Sequence, residues 1–182
     1  GKPNRGLMVS LGNRAGGLYG ESRFARFYSS RSPNVEQSPH LLLQTQVEGE
    51  ARTMELVPMV DGYLTVNEPH LITEPGLEAY FRHGQDHAAI YLRFALTKLT
   101  AEQIETLAEA RLVLHATKVE SPPNHTLQVF RIHEDNVNTE PFVPGADAEK
   151  AALLNAGGSI TRPVSTKGRH DIQLQYRYRA VE

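Results

Sequence analysis

The chain has 182 residues, enough for one domain that buries roughly two-thirds of its unfolded surface and needs no covalent staples. Its 19 basic and 21 acidic residues nearly cancel, so the overall charge gives no reason to expect a nucleic-acid partner. Cysteine is absent, which excludes disulfides, thiol redox chemistry and cysteine-ligated metal, and no apolar run approaches the ~20 residues of a membrane-spanning helix.

The opening Gly1-Lys2-Pro3-Asn4 carries no signal-like segment, so residue 1 reads as a processed end or a fragment boundary. Leu7, Val9 and Leu11 alternate as a first strand, stopped by Gly12-Asn13. Phe24 to Tyr28 is a second, aromatic strand, Ser29 to Pro39 is a polar loop, and His40 to Val47 is a third strand. Their closeness in sequence suggests a three-stranded meander. Val47 to Arg52 reads as a connector, and Pro58 marks Met54 to Val60 as an edge strand or a strand end. Asp61-Gly62 is a turn dipeptide that opens a strand reaching Val66. A loop with two prolines, Pro69 and Pro75, leads to a strand at Leu77 to Arg82, and His83 to Asp86 turns into Ala89 to Phe94. That last run is the clearest central strand, with Leu92, Phe94 and Leu96 on one face and Tyr91, Arg93 and Ala95 on the other.

Thr100 with Gln103 spells a capping box for a helix of about two turns, in which Ile104, Leu107 and Ala108 share a face. Period two then returns: Leu112, Leu114 and Ala116 oppose Arg111, Val113 and His115. Ser121-Pro122-Pro123-Asn124 breaks the run, Leu127 to Ile132 resumes it, and the two runs suggest a hairpin. Asp147 to Asn155 reads as a short helix capped by Asp147 and stopped at Gly157. Finally Ile172, Leu174, Tyr176, Tyr178 and Ala180 alternate with Gln173, Gln175, Arg177 and Arg179. Nine or ten strands with one or two short helices make an all-β chain, a jelly-roll β-sandwich.

Few residues here point to chemistry. His83 and His87 have zinc spacing only on a helix, and Gly84 places them at a turn, so no metal ligands are assigned. His115, His125, His133 and His170 lack ligand spacing and read as solvated. There is no G-x-S-x-G elbow, P-loop or dinucleotide glycine signature. Glu134-Asp135 and Glu74 with Glu78 are carboxylate pairs without a supporting context, so the chain is read as non-catalytic. Calcium is left unassigned, although Asp61, Asp86, Glu134 and Asp135 lie near turns. Asn124-His125-Thr126 has the form of a glycosylation sequon and reads as an exposed turn. The candidate ligand-binding row is Gln173, Gln175, Arg177 and Arg179, spaced about 7 Å apart along one strand face. Guanidinium groups grip carboxylates bidentately and amides bond hydroxyls, so such a row suits a uronic-acid polymer; an ordinary solvated strand face has the same composition. Tyr176 and Tyr178 fall on the inward parity and read as core.

The succession Asp61-Gly62-Tyr63, Leu77 to Arg82, Ile90-Tyr91-Leu92-Arg93-Phe94-Ala95-Leu96, Ala110 to Leu114 and Val129 to Ile132 resembles the DNRLRE-type domain, also called the disaggregatase-related repeat. The resemblance implies a jelly-roll sandwich of secreted and surface proteins of bacteria and archaea, some of which bind carbohydrate, alginate included. One departure stands out. Pieces like Arg26 to Arg31 and Pro39 to Leu43 usually close such a domain, and here they precede Asp61, a permuted order. Residues 1–52 therefore resemble the end of such a domain and 53–182 its main body, joined in one compact unit or sharing strands with a neighbour. Two functional expectations follow. One is a non-catalytic extracellular or cell-surface module that binds polysaccharide, an anionic glycan above all, with no cofactor and no membrane insertion. The other is a subunit of an extracellular fibre, a homo-polymer built by strand complementation between copies.

Overall fold

The computed structural model describes residues 6–13, 22–65, 70–81, 87–120, 125–131, 160–163 and 167–174. They form an all-β, sandwich-like fold of eleven strands: β1 (Leu7–Asn13), β2 (Arg23–Tyr28), β3 (His40–Val47), β4 (Glu50–Leu56), β5 (Pro58–Thr65), β6 (Gly76–Phe81), β7 (His87–Phe94), β8 (Glu109–Glu120), β9 (His125–Arg131), β10 (Ile160–Pro163) and β11 (Gly168–Leu174). All pairings are antiparallel, in one curled sheet of order β10-β9-β1-β7-β6-β2-β8-β3-β4, with β5 on the free edge of β7 and β11 on the free edge of β8.

Two strands hold this arrangement. β7 pairs along one edge with β5, and its other edge is shared by β6 and then β1. β8, twelve residues long, pairs along one edge with β11, and its other edge is shared by β3 at Glu109 to Val113 and β2 at Ala116 to Glu120. Both show the period-two burial that their sequences announce. Ile90, Leu92 and Phe94 of β7 are buried, as are Leu112, Leu114 and Ala116 of β8. The curled sheet closes around these side chains together with Val9, Phe27, Leu41, Leu43, Leu77, Leu127 and Ile172. Each fully buried Leu or Phe contributes roughly 1.5–3 kcal/mol relative to exposure. Thr117 is the extra residue of a bulge opposite β2, because Phe27 pairs with Ala116 and Arg26 with Lys118, and its hydroxyl donates to the Arg26 carbonyl at 3.1 Å.

Several expectations are corrected by these pairings. The first three strands are not a meander: β1 lies between β7 and β9, β2 between β6 and β8, and β3 between β4 and β8. Glu50 to Arg52 are not a connector but the start of β4, and Glu48-Gly49 forms a two-residue hairpin turn with φ of 54° and 80°. β8 and β9 are not a hairpin, because both edges of β8 are already occupied, and β9 pairs with β1 and β10 instead. The Thr100 capping box is present, with Gln103 N–H donating to Thr100 Oγ at 3.2 Å and Thr100 N–H to Gln103 Oε1 at 2.9 Å. The helix it starts, α1 (Ala101–Glu105), is shorter than two turns, and Ile104 is 44% exposed. Leu96 does not continue β7; it begins a 3-10 turn, Leu96–Lys98, and is 38% exposed. The expected helix at 147–155 and the last strand beyond Leu174 lie outside the described residues.

Asp61-Gly62 is not a turn either, but sits inside β5. Gly62 answers to a close approach: a Cβ there would lie 2.6 Å from the Ile72 carbonyl oxygen, where Ile72 and Tyr63 exchange backbone hydrogen bonds of 3.0 and 2.9 Å. The Asp61 carboxylate is 1% exposed. It accepts from Ser30 N–H and Ser30 Oγ–H at 2.7 Å each and from Arg31 Nη1 at 2.7 Å, while the same Nη1 reaches the Asp61 carbonyl at 3.1 Å. This clasp ties the segment between β2 and β3 to β5, a strand that β2 does not pair with. Asp61→Ala leaves the Ser30 and Arg31 donors, which solvent reaches, without their acceptor and is expected to cost about 2 kcal/mol. Arg31→Ala leaves the buried Asp61 carboxylate with the Ser30 donors but no countercharge and is expected to cost about 3 kcal/mol. Urea unfolding midpoints with unchanged slopes measure both; an Asp61→Ala protein as stable as the parent contradicts the clasp.

Candidate ligand-binding face

Residues opposite one another in an antiparallel pair share a face, so the register of β11, β8, β3 and β4 defines the outward surface of this half of the fold. Gln173 lies opposite Arg111, Arg111 opposite Leu42, and Leu42 opposite Glu55. The next row is Asp171, Val113 and His40, and the one beyond pairs Arg169 with His115. On the other side of the first row, Glu109 lies opposite Gln44 and Gln44 opposite Thr53. Gln173 is exposed and its neighbour Ile172 is 1% exposed, so β11 has the parity read from its sequence. Of the four-residue row, the structure places Gln173; Gln175, Arg177 and Arg179 lie outside the described residues. Leu42, Gln44, Thr53, Glu55 and Arg111 complete the surface around Gln173. No single-strand pattern names them, because their company is decided by register.

The charges of this face are internally paired. Arg111 Nε lies 3.2 Å from Glu109, Arg169 Nε donates to Asp171 at 2.7 Å, and His40 Nδ1 stands 3.8 Å from Glu55. Each of the two arginines thus meets one carboxylate, with Glu55 beside His40, and this part of the surface offers hydrogen-bonding groups rather than a cationic field.

The histidines are less solvated than their spacing suggests. His170 has the inward parity of Ile172, is 6% exposed, and packs edge-on against Phe27 with ring centroids 6.3 Å apart. His115 is half-buried and faces the buried His40 ring at 6.2 Å. Burial, then the neighbouring His40 and Arg169, push its imidazole below the ordinary range, against an opposing hydrogen bond with the Gln37 backbone. The side chain of His125 and the whole of His83 and His133 fall outside what is described.

A second outward patch lies on β6, β2 and β8, where Tyr80 stands opposite Phe24 and Lys118 reaches the Phe24 ring diagonally from its place opposite Arg26. The rings of Phe24 and Tyr80 are 6.3 Å apart and 19° from parallel, and Lys118 Nζ is 5.4 Å from the Phe24 centroid. Phe24 thus has both a neighbouring ring and an ammonium against it, contacts that pack the ring within its own sheet. Arg26 stands beside Glu78 at 3.5 Å and Glu74 at 3.9 Å, so the two carboxylates named as a pair in the sequence share a guanidinium. Among the described residues no three His, Asp or Glu groups converge as a metal site. The Asp61 carboxylate is bound to Ser30 and Arg31, while Asp86, Glu134 and Asp135 lie outside the described residues.

Tyr63 is buried behind this patch. Burial first, then the Glu78 and Glu74 carboxylates and Tyr80, push its phenol up to about 12. Its neutral form is favoured by folding, so the stability linked to it is complete below pH 10 and is lost as pH rises from 10 through 12. In a spectrophotometric titration of the folded chain at 295 nm, one of the seven tyrosines is expected to ionise late, and Tyr63→Phe removes that late step.

Comparison with protein-family models, curated proteins and solved structures finds no match to this chain.

Proposed function

We propose that this chain is a non-catalytic β-sandwich module that binds polysaccharide across the outward face of β11, β8, β3 and β4, and that it works outside the cell or at its surface. The observation that supports the binding is the row Gln173, Arg111, Leu42 and Glu55. An amide, a guanidinium, an apolar side chain and a carboxylate stand side by side at the roughly 5 Å spacing of neighbouring strands. Hydroxyl groups of a sugar can both donate to and accept from such a row, and the apolar step between them suits the C–H face of the ring. A surface of extended side chains on a sheet matches an extended polymer and needs no covalent step. The setting outside the cell rests on the resemblance drawn from the sequence.

Preference for an anionic glycan is assigned to Arg177 and Arg179. Arg111 and Arg169 already face Glu109 and Asp171, so a uronic-acid polymer finds no surplus of positive charge among the described residues of the face. Gel retention on immobilised alginate and on a neutral polysaccharide separates the two contributions. Gln173→Ala with Arg111→Ala is expected to weaken retention on both gels about tenfold or more, the loss of one or two hydrogen bonds to a charged group. Arg177→Ala with Arg179→Ala is expected to weaken only the salt-sensitive retention on alginate. Unchanged retention in the first double variant overturns the site.

The second reading, a fibre subunit, has one supporting observation. Among the described residues β4 pairs only with β3, β10 only with β9 and β11 only with β8, leaving outer edges for another chain. β1, β2 and β3 are paired within the chain, so assembly would proceed by edge addition at β4, β10 or β11 rather than by lending the leading strands. Light scattering across a hundredfold concentration range tests this; a constant monomer mass contradicts it.

A further inference from the structure

We propose that His115 and His40 form a pH-sensitive latch that holds residues 35–39 over the outward face of β8 at neutral pH and releases them on acidification. The device is independent of what the face binds. β2 and β3 run in the same direction along one edge of β8, and the eleven residues 29–39 between them leave that edge and return to it. The outgoing end is fixed by the Asp61 clasp and by Ser29 N–H donating to the Pro75 carbonyl at 3.1 Å. The returning end contains the 3-10 turn Val35–Gln37 and is held differently. His40 Nδ1 donates to the Ser38 carbonyl at 3.0 Å, and His115 hydrogen-bonds the backbone of Gln37. Ser38 is 4% exposed, and Val113, which has outward parity, is 0% exposed. The turn itself is lightly packed, with Val35 70% exposed.

The surroundings make a second proton on His115 hard to accommodate. Its Nδ1 is buried and has no hydrogen-bond partner, so protonation there creates a buried N–H donor without an acceptor. The groups facing it are His40 from β3, at 6.2 Å between ring centroids, and Arg169 and Asp171 from β11. Asp171 is already bonded to Arg169 at 2.7 Å, and the carboxylate of β4, Glu55, is nearer His40. Arg111 lies two outward positions away on β8 and faces Glu109. The segment's own charged residues are Arg31, held by Asp61, and Glu36, which is exposed. Among the described residues no uncommitted carboxylate therefore stands by to receive the new charge, and opening the returning end to water is the available relief. Opening uncovers Val113 and the middle of the outward face, between Arg111 on one side and Lys118 on the other.

Hydrogen exchange of the intact chain tests the latch. With intrinsic rates corrected, protection of amides in 29–39 is expected to fall about tenfold between pH 7.5 and 5.5, the factor for one proton taken up on opening by a group of ordinary histidine affinity. Peptides from β3 and β8 keep their protection. His115→Gln, which retains a donor for the Gln37 carbonyl and does not titrate, is expected to remove the pH dependence. Equal protection at the two pH values, parallel loss in β3 and β8, or an unaltered pH dependence in His115→Gln overturns the latch. If His115→Gln folds poorly, the parent protein decides the matter by NMR. The His115 imidazole and the amides of Val35 to Gln37 must then titrate with one midpoint, and separate midpoints overturn it.

Discussion

A carboxylate that solvent barely reaches ties β5 to the segment between β2 and β3. Asp61 is 1% exposed, and a buried anion without partners would cost several kcal/mol. The cost is offset by three donors from one short stretch, Ser30 N–H, Ser30 Oγ–H and Arg31 Nη1, each at 2.7 Å. Arg31 supplies the countercharge while its own side chain stays 43% exposed, so only one of the two ions is desolvated fully. The clasp fixes where the chain leaves β2. β2 and β3 continue along the same edge of β8, so the intervening segment starts from this fixed point and returns to that edge.

Val113 has the outward parity of β8 and is nonetheless buried, and it lies between the polar rows near Gln173 and Arg111 and the Phe24, Tyr80 and Lys118 patch. The bulge at Thr117 adds a local bend at the same place. The proposed binding at the polar rows and the proposed release of residues 35–39 would be neighbouring events on one strand, neither requiring the other.

What the sequence made legible was parity within strands. Ile90, Leu92 and Phe94 buried, Ile172 buried beside exposed Gln173, and the Thr100 to Gln103 capping box all follow from local spacing. What it concealed was pairing. The β8 and β9 runs look like a hairpin because they are adjacent, yet β8 has no edge left for β9. Asp61-Gly62 reads as a turn because those residue types favour turns; here one buries a charge and the other admits the Ile72 backbone, and both demands come from residues far away in sequence. The composition of the candidate face was hidden for the same reason: Gln173 was visible on its own strand, while Arg111, Leu42 and Glu55 join it only through register.

The proposed recognition of polysaccharide by the outward face of β11, β8, β3 and β4 is open to a titration of the isotopically labelled chain with alginate oligosaccharides and with neutral ones, followed by amide and side-chain NMR. Saturable shifts are expected at Gln173, Arg111, Leu42 and Glu55 and not at the core-facing residues of the same strands. No saturable shift with any oligosaccharide, or shifts confined to residues away from these four strands, would contradict it.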